Sequence, residues 1–100
     1  MKTEVKKTGT GVRVVIEGDI DLHVSPELRD VLSKALDAKP ELLVVDLALV
    51  PFVDSSAVAT IVGALKRIRQ WSGALRVENL QEAVRDTFDI AGLTRILGIT

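Results

Sequence analysis

Leu42-Leu43-Val44-Val45-Asp46-Leu47 and, shortly after it, Val50-Pro51-Phe52-Val53-Asp54-Ser55-Ser56-Ala57-Val58-Ala59 are the stretches whose reading decides the fold. The first is apolar at alternate and intervening positions alike, the signature of a central strand covered by helices on at least one side. The second carries a polar triplet, after which Val58, Ile61, Val62, Leu65 and Ile68 recur mostly at spacings of three and four. That spacing places them on one face of a helix starting at Asp54 or Ser55. Two hydroxyls therefore sit at a helix N-terminus. Unpaired backbone N–H groups and a partial positive charge make that end a place where an added phosphate is tolerated or a partner reads the surface.

Toward the N-terminus, Val12, Val14 and Ile16 alternate with Arg13 and Glu17, which predicts a strand. Gly9-Thr10-Gly11 predicts a tight turn joining it to a weaker first strand around Thr3 to Thr8. Ser25 then reads as an N-cap before Pro26 at the first helical position, and Leu28, Val31, Leu32, Ala35 and Leu36 share one face of a helix ending near Ala38-Lys39-Pro40. The long helix from Asp54 or Ser55 runs to Gln70 or Trp71. Lys66, Arg67 and Arg69 read as solvated charges favoured by the dipole, Trp71 packs the helix end against the sheet, and Ser72-Gly73 stops it. Ala74 to Glu78 predicts a further strand and Gln81 to Ala91 a helix with Ala83, Val84, Thr87, Phe88 and Ala91 inward. Gly92 stops that helix before a short last strand around Arg95 to Leu97, with Leu93, Ile96 and Leu97 in the core. An initial hairpin followed by alternating strands and helices implies an α/β architecture: a mixed sheet with right-handed crossovers, helices packed against it, and one domain over residues 1–100.

Composition narrows the function. Thirteen basic against fourteen acidic side chains give a net charge of −1, without the electrostatic footprint of a direct nucleic-acid binder. There is no cysteine, so neither a disulfide framework nor thiolate chemistry is expected, and the single histidine, His23, reads as a surface loop residue rather than a metal ligand. No metal and no cofactor are expected. The N-terminus has no apolar segment after its charges, and no apolar run approaches the ~20 residues needed to span a bilayer, so no membrane insertion and a cytoplasmic location are expected.

The run Val45 to Ala57, with Gly18-Asp19-Ile20-Asp21 upstream and Ala91-Gly92-Leu93-Thr94-Arg95-Ile96-Leu97 downstream, resembles the STAS family of anti-sigma factor antagonists. The three pieces, in that order and joined by the Gly73-containing turn, carry the resemblance over nearly the whole chain. It implies a STAS-like fold and a non-enzymatic, phosphorylation-switched interaction domain in transcription regulation. The first serine of the Asp-Ser-Ser triplet, here Ser55, would be phosphorylated by a serine kinase that doubles as the anti-sigma factor, and a metal-dependent serine phosphatase would reverse it. Only the unphosphorylated form would bind the anti-sigma factor, freeing the sigma factor to engage RNA polymerase. The resemblance further implies a partner-binding surface of Asp21, Asp54, Ser55, Ser56 and Ala57, with Asp54 as the capping and orienting residue and Ser56 as structural support.

Two departures stand out. Position 57 is usually glycine in that family, and Ala57 is expected to fill the surface beside Ser55 and tune partner choice. The chain also reaches Ile99-Thr100 where many relatives continue into another helix, which implies exposed apolar surface and self-association as a homodimer or attachment to a permanent partner. These departures motivate a second reading, a constitutive STAS subunit of a larger assembly such as a stress-signalling complex or a lipid-transport ATPase. From the residues alone, the triplet also reads as an ordinary N-cap and first turn, and Asp19 or Asp21 as a loop cap. Catalysis or nucleotide binding finds no phosphate loop, dinucleotide fingerprint or acid–base pair in the sequence.

Overall fold

Alternating side chains at Gly11–Glu17 form a strand with Val12, Val14 and Ile16 buried and Arg13 and Val15 half-buried on the opposite face. The structure, a computed structural model, describes residues 1–99 and builds outward from that strand. In chain order its elements are β1 (Lys2–Thr8), β2 (Gly11–Glu17), α1 (Ser25–Leu36), β3 (Leu42–Leu49), α2 (Ser55–Ile68), β4 (Ala74–Glu78) and α3 (Glu82–Ile90), with a short 3-10 turn over Arg69–Trp71. The sheet order is β1-β2-β3-β4. β1 and β2 pair antiparallel, while β2 with β3 and β3 with β4 pair parallel, as crossovers through α1 and α2 require.

One face of the sheet meets the helices. Val14 of β2, Val45 of β3 and Val77 of β4 enter one apolar cluster with Leu32 of α1 and Ile61 of α2. The opposite face bears ions. Arg13 donates from Nη1 to Asp46 at 2.9 Å and from Nη2 to Glu78 at 2.9 Å, and Arg76 lies 3.8 Å from the same glutamate. This bridging explains the acidic residue inside the apolar β3 run: Asp46 sits on the uncovered face, where an arginine from the next strand compensates it.

Several boundaries differ from the expected ones for local reasons. Ser25 is the first helical residue of α1 rather than its cap, and the chain before it is held by Asp21, whose carboxylate accepts the backbone N–H groups of His23 (2.9 Å) and Val24 (3.2 Å). At the end of α2, Ser72 takes the left-handed conformation (φ +63°) expected of a glycine. Gly73 is required for a different reason: a Cβ there would lie 2.6 Å from Cγ1 of Ile68 and 3.1 Å from the carbonyl oxygens of Ile68 and Pro40. Trp71 does secure this end, its indole N–H donating to the Pro40 carbonyl at 2.8 Å. Arg67 is not simply solvated: it donates to the Ser33 carbonyl and hydroxyl and, at 2.7 Å, to Asp37, tying α2 to the last turns of α1.

The C-terminal segment departs most. α3 buries only Val84 and Phe88, with Thr87 half-buried and Ala83 and Ala91 exposed. Gly92 (φ +72°) closes α3 as expected, with Gly92 N–H bonded to the Asp89 carbonyl and Leu93 N–H to that of Phe88. Arg95 to Leu97 is a turn, not a strand, because Leu97 N–H bonds back to the Leu93 carbonyl at 3.0 Å and curls the backbone. Its link to the sheet is the bond from Val77 N–H to the Leu97 carbonyl (3.1 Å). Leu97 is buried, Leu93 half-buried and Ile96 exposed, so two of the three expected core residues face inward to any degree.

Candidate functional site

The loops that leave the carboxyl ends of β2 and β3 are stitched together by backbone. Ile20 N–H donates to the Phe52 carbonyl at 2.9 Å and Asp54 N–H to the Ile20 carbonyl at 3.1 Å, a parallel bridge between Ile20 and Val53 beyond the strand ends. This fixes the loop holding Asp21 against the loop that begins α2, so the two acidic positions singled out from sequence belong to one structural unit.

Asp54 is the N-cap of α2, in extended conformation, and its carboxylate accepts the N–H groups of Ser56 (2.9 Å) and Ala57 (3.4 Å). The carboxyl is held below its ordinary range, first by the Ser56 hydroxyl and then by the N–H groups of Ser56, Ala57 and Leu22, against an opposing desolvation. The site thus carries an ionised carboxylate before any modification.

Three hydroxyl contacts share two protons. Ser25 Oγ lies 2.9 Å from the Asp21 carbonyl and 2.6 Å from Ser56 Oγ, and Ser56 Oγ also reaches the Asp54 carboxylate. Each serine has one proton to give. The charged carboxylate is the stronger acceptor, so the Ser56 proton goes to Asp54, while the Ser25 hydroxyl is left to donate between Ser56 Oγ and the Asp21 carbonyl, which also accepts the Ser25 backbone N–H. This relay, absent from the sequence reading, joins the N-termini of α1 and α2 through a side chain that is 3% exposed.

Asp54→Ala is expected to lower the melting temperature by several degrees at neutral pH. A carboxyl whose folded pKa lies below its unfolded value stabilises the fold fully above the ordinary aspartate pKa, and that stabilisation is lost as pH falls through the folded pKa. The wild-type and Asp54→Ala melting curves should therefore converge in acid. Calorimetry across the pH range checks this, and a gap that stays constant into acid would assign the loss to something other than the carboxylate.

The triplet divides its roles. Ser55 is exposed as the first residue of α2, while Ser56 is half-buried with its hydroxyl engaged. Ala57 is fully buried in the core cluster, so its methyl does not fill the surface beside Ser55, and the expectation that it meets a partner is corrected: the first turn rotates position 57 inward. Asp21 is half-buried and caps the chain entering α1, the loop-capping alternative. His23 is exposed in the same loop.

Sequence reasoning missed two neighbours. Leu22 is 70% exposed and Phe52 is 49% exposed, one in each of the stitched loops. The available signal was an apolar residue in a loop, Leu22 between Asp21 and His23 and Phe52 between Pro51 and Val53, which alternation cannot assign to a face. From Leu22 and Ser56 a groove of about 430 Å³ runs between α1 and α2, floored by Ala59, Gly63 and Ala64. Among the described residues no three His, Cys, Asp or Glu side chains gather as a metal site, and no helix is long and apolar enough to cross a membrane.

Comparison with known proteins agrees with this architecture. The STAS domain family matches residues 2–100. The anti-sigma-B factor antagonist of Bacillus subtilis (strain 168) is 32% identical over 100 residues, covering 100% of this chain and 91% of its own. Among solved structures, the anti-sigma factor antagonist SpoIIAA in its unphosphorylated form superposes with a TM-score of 0.72 at 18% identity, over 98% of this chain and 100% of that one. The phosphorylated form of the Bacillus cell fate determinant SpoIIAA gives 0.75 at 21% identity, over 94% and 86%. With its mixed four-stranded sheet, its stitched loops and a family match spanning 2–100, the chain belongs to the STAS domain family.

Proposed function

We propose that this protein is an anti-sigma factor antagonist, a regulatory interaction domain whose binding to an anti-sigma factor is switched by phosphorylation of Ser55. The observation that carries the reading is the contrast within the triplet: Ser55 is exposed at the start of α2, whereas Ser56 is half-buried and hydrogen-bonded. Identity of 32% over the whole chain to a protein named anti-sigma-B factor antagonist supports the partner class. That SpoIIAA has been solved in both phosphorylated and unphosphorylated forms, each superposing on this fold, supports a modification that leaves the domain folded.

In this reading the anti-sigma factor is itself the serine kinase, a serine phosphatase restores the binding form, and the site of action is cytoplasmic, where RNA polymerase works. Asp54 orients the first turn, Ser56 and Asp21 brace it, and the exposed Leu22 and Phe52 supply apolar contact beside Ser55. The constitutive-subunit reading loses one of its motives, because Ala57 faces the core. Incubation with a kinase-type anti-sigma factor and ATP should add one phosphate, which tandem mass spectrometry should place on Ser55. The phosphorylated protein should then fail to retain that partner in a calorimetric titration. A phosphate on Ser56, or undiminished binding after stoichiometric phosphorylation of Ser55, would overturn the proposal.

A further inference from the structure

β1 stands at the edge of the sheet, and all seven of its residues, Lys2-Thr3-Glu4-Val5-Lys6-Lys7-Thr8, are exposed. Such an edge presents a row of backbone donors and acceptors to any strand that fits it. We propose that the occupant is β1 of a second copy, paired antiparallel about a twofold axis at Val5, so that two four-stranded sheets become one continuous sheet. This holds independently of the switch at Ser55.

Charge selects both the partner and the register. A twofold axis normal to the sheet sets each residue opposite one on the same face, so symmetric pairings are centred on a residue. Centred on Val5, all seven strand residues pair: Val5 meets Val5, Glu4 meets Lys6 twice, Thr3 meets Lys7 twice and Lys2 meets Thr8 twice. No like charges oppose each other. Centred on Glu4, the pairing sets glutamate on glutamate and Lys2 on Lys6; centred on Lys6, it sets lysine on lysine. Both also pair fewer residues, so the register about Val5 is favoured by length and by sign.

Side chains already in place support it. Lys6 Nζ lies 3.7 Å from Glu4 Oε1 within one strand, so in the pair each glutamate sits between its own lysine and its copy's, an alternating four-charge patch. On the helix side, Val5 is 46% exposed above a groove of about 240 Å³ between β1 and α1 that Val12, Val31 and Ala35 help to line. The symmetric Val5 contact covers apolar surface that the described residues leave exposed. A seven-residue edge is smaller than a standard protein interface, so the association is expected to be weak and concentration-dependent.

The chain has no cysteine, so single cysteines report the register directly. Sedimentation of the full chain from about 1 μM to about 1 mM should show a monomer–dimer equilibrium. Under mild oxidation, Val5→Cys should crosslink about tenfold faster than Thr3→Cys or Lys7→Cys, because only position 5 meets its own copy across directly opposed Cβ atoms. Glu4→Lys should shift the equilibrium at least about tenfold toward monomer, and adding Lys6→Glu to it should restore the dimer by exchanging the two signs. Circular dichroism of each variant guards against misfolding. A chain that stays monomeric to the top concentration, equal crosslinking at the three positions, or a dimer indifferent to Glu4→Lys would each overturn the proposal.

Discussion

Ser55→Asp is expected to weaken the complex with the anti-sigma factor by about tenfold or more, which requires only about 1.4 kcal/mol, while Ser55→Ala preserves binding and abolishes phosphorylation. The asymmetry follows from what already surrounds the residue. Asp54 is ionised, and it occupies the N–H groups of Ser56 and Ala57, which an added anion at the helix start would otherwise use. The helix end can therefore compensate new charge only partly, and the charge at position 55 faces whatever docks there. A partner covering an exposed Leu22 and Phe52 would have to bury two adjacent anions without enough donors to pair them. The fold itself should be indifferent. An acidic residue in the first turn of a helix is favourable, so thermal stability should move by no more than ~0.5 kcal/mol. Calorimetric titration of the two variants checks the prediction, and unchanged affinity in Ser55→Asp would refute the electrostatic switch.

Phe88→Ala should be the most damaging single core change, with a loss of about 3–5 kcal/mol from a total of roughly 5–15 kcal/mol for a domain of this size. α3 spans nine residues, too short to hold as an isolated helix, and it buries just Val84 and Phe88. Phe88 is 0% exposed, and its carbonyl also accepts the Leu93 N–H that closes the helix. Truncating the ring removes the anchor of α3 and, through Leu93 and Leu97, of the turn that follows. Urea unfolding should show the drop, with hydrogen exchange in α3 accelerating first. Ile90→Ala in the same helix, at a residue 89% exposed, should change stability by no more than ~0.5 kcal/mol. A loss below about 1 kcal/mol in Phe88→Ala would show that α3 is not anchored there.

Regular periodicity and strong turn chemistry made most of this fold legible. The apolar run at Leu42–Leu47 and the three-and-four spacing after Asp54 became β3 and α2, and Ala74–Glu78 is the strand expected there. What was hidden depended on contacts distant in sequence. Ser25 looks like a cap because its own neighbourhood favours one. Asp21, four residues earlier, holds the entry to α1, and the Ser25 hydroxyl turns toward Ser56, 31 positions away. The last segment failed because Leu93, Ile96 and Leu97 are apolar enough for a strand, while among the described residues the sheet meets it through the backbone bond at Val77 and the chain closes on itself instead. Within the site, the exposed serine and its cap were legible. The inward turn of Ala57 and the outward turn of Leu22 and Phe52 were not, since a residue near a helix start can face either way until the sheet beneath it is placed.

The inward turn of Ala57 separates two kinds of evolutionary drift. Replacement at position 57 answers to the volume available between helix and sheet, so the choice of glycine or alanine there is a matter of interior fit. Replacement of the loop leucine or phenylalanine, by contrast, would redraw the outer contour and leave the interior untouched.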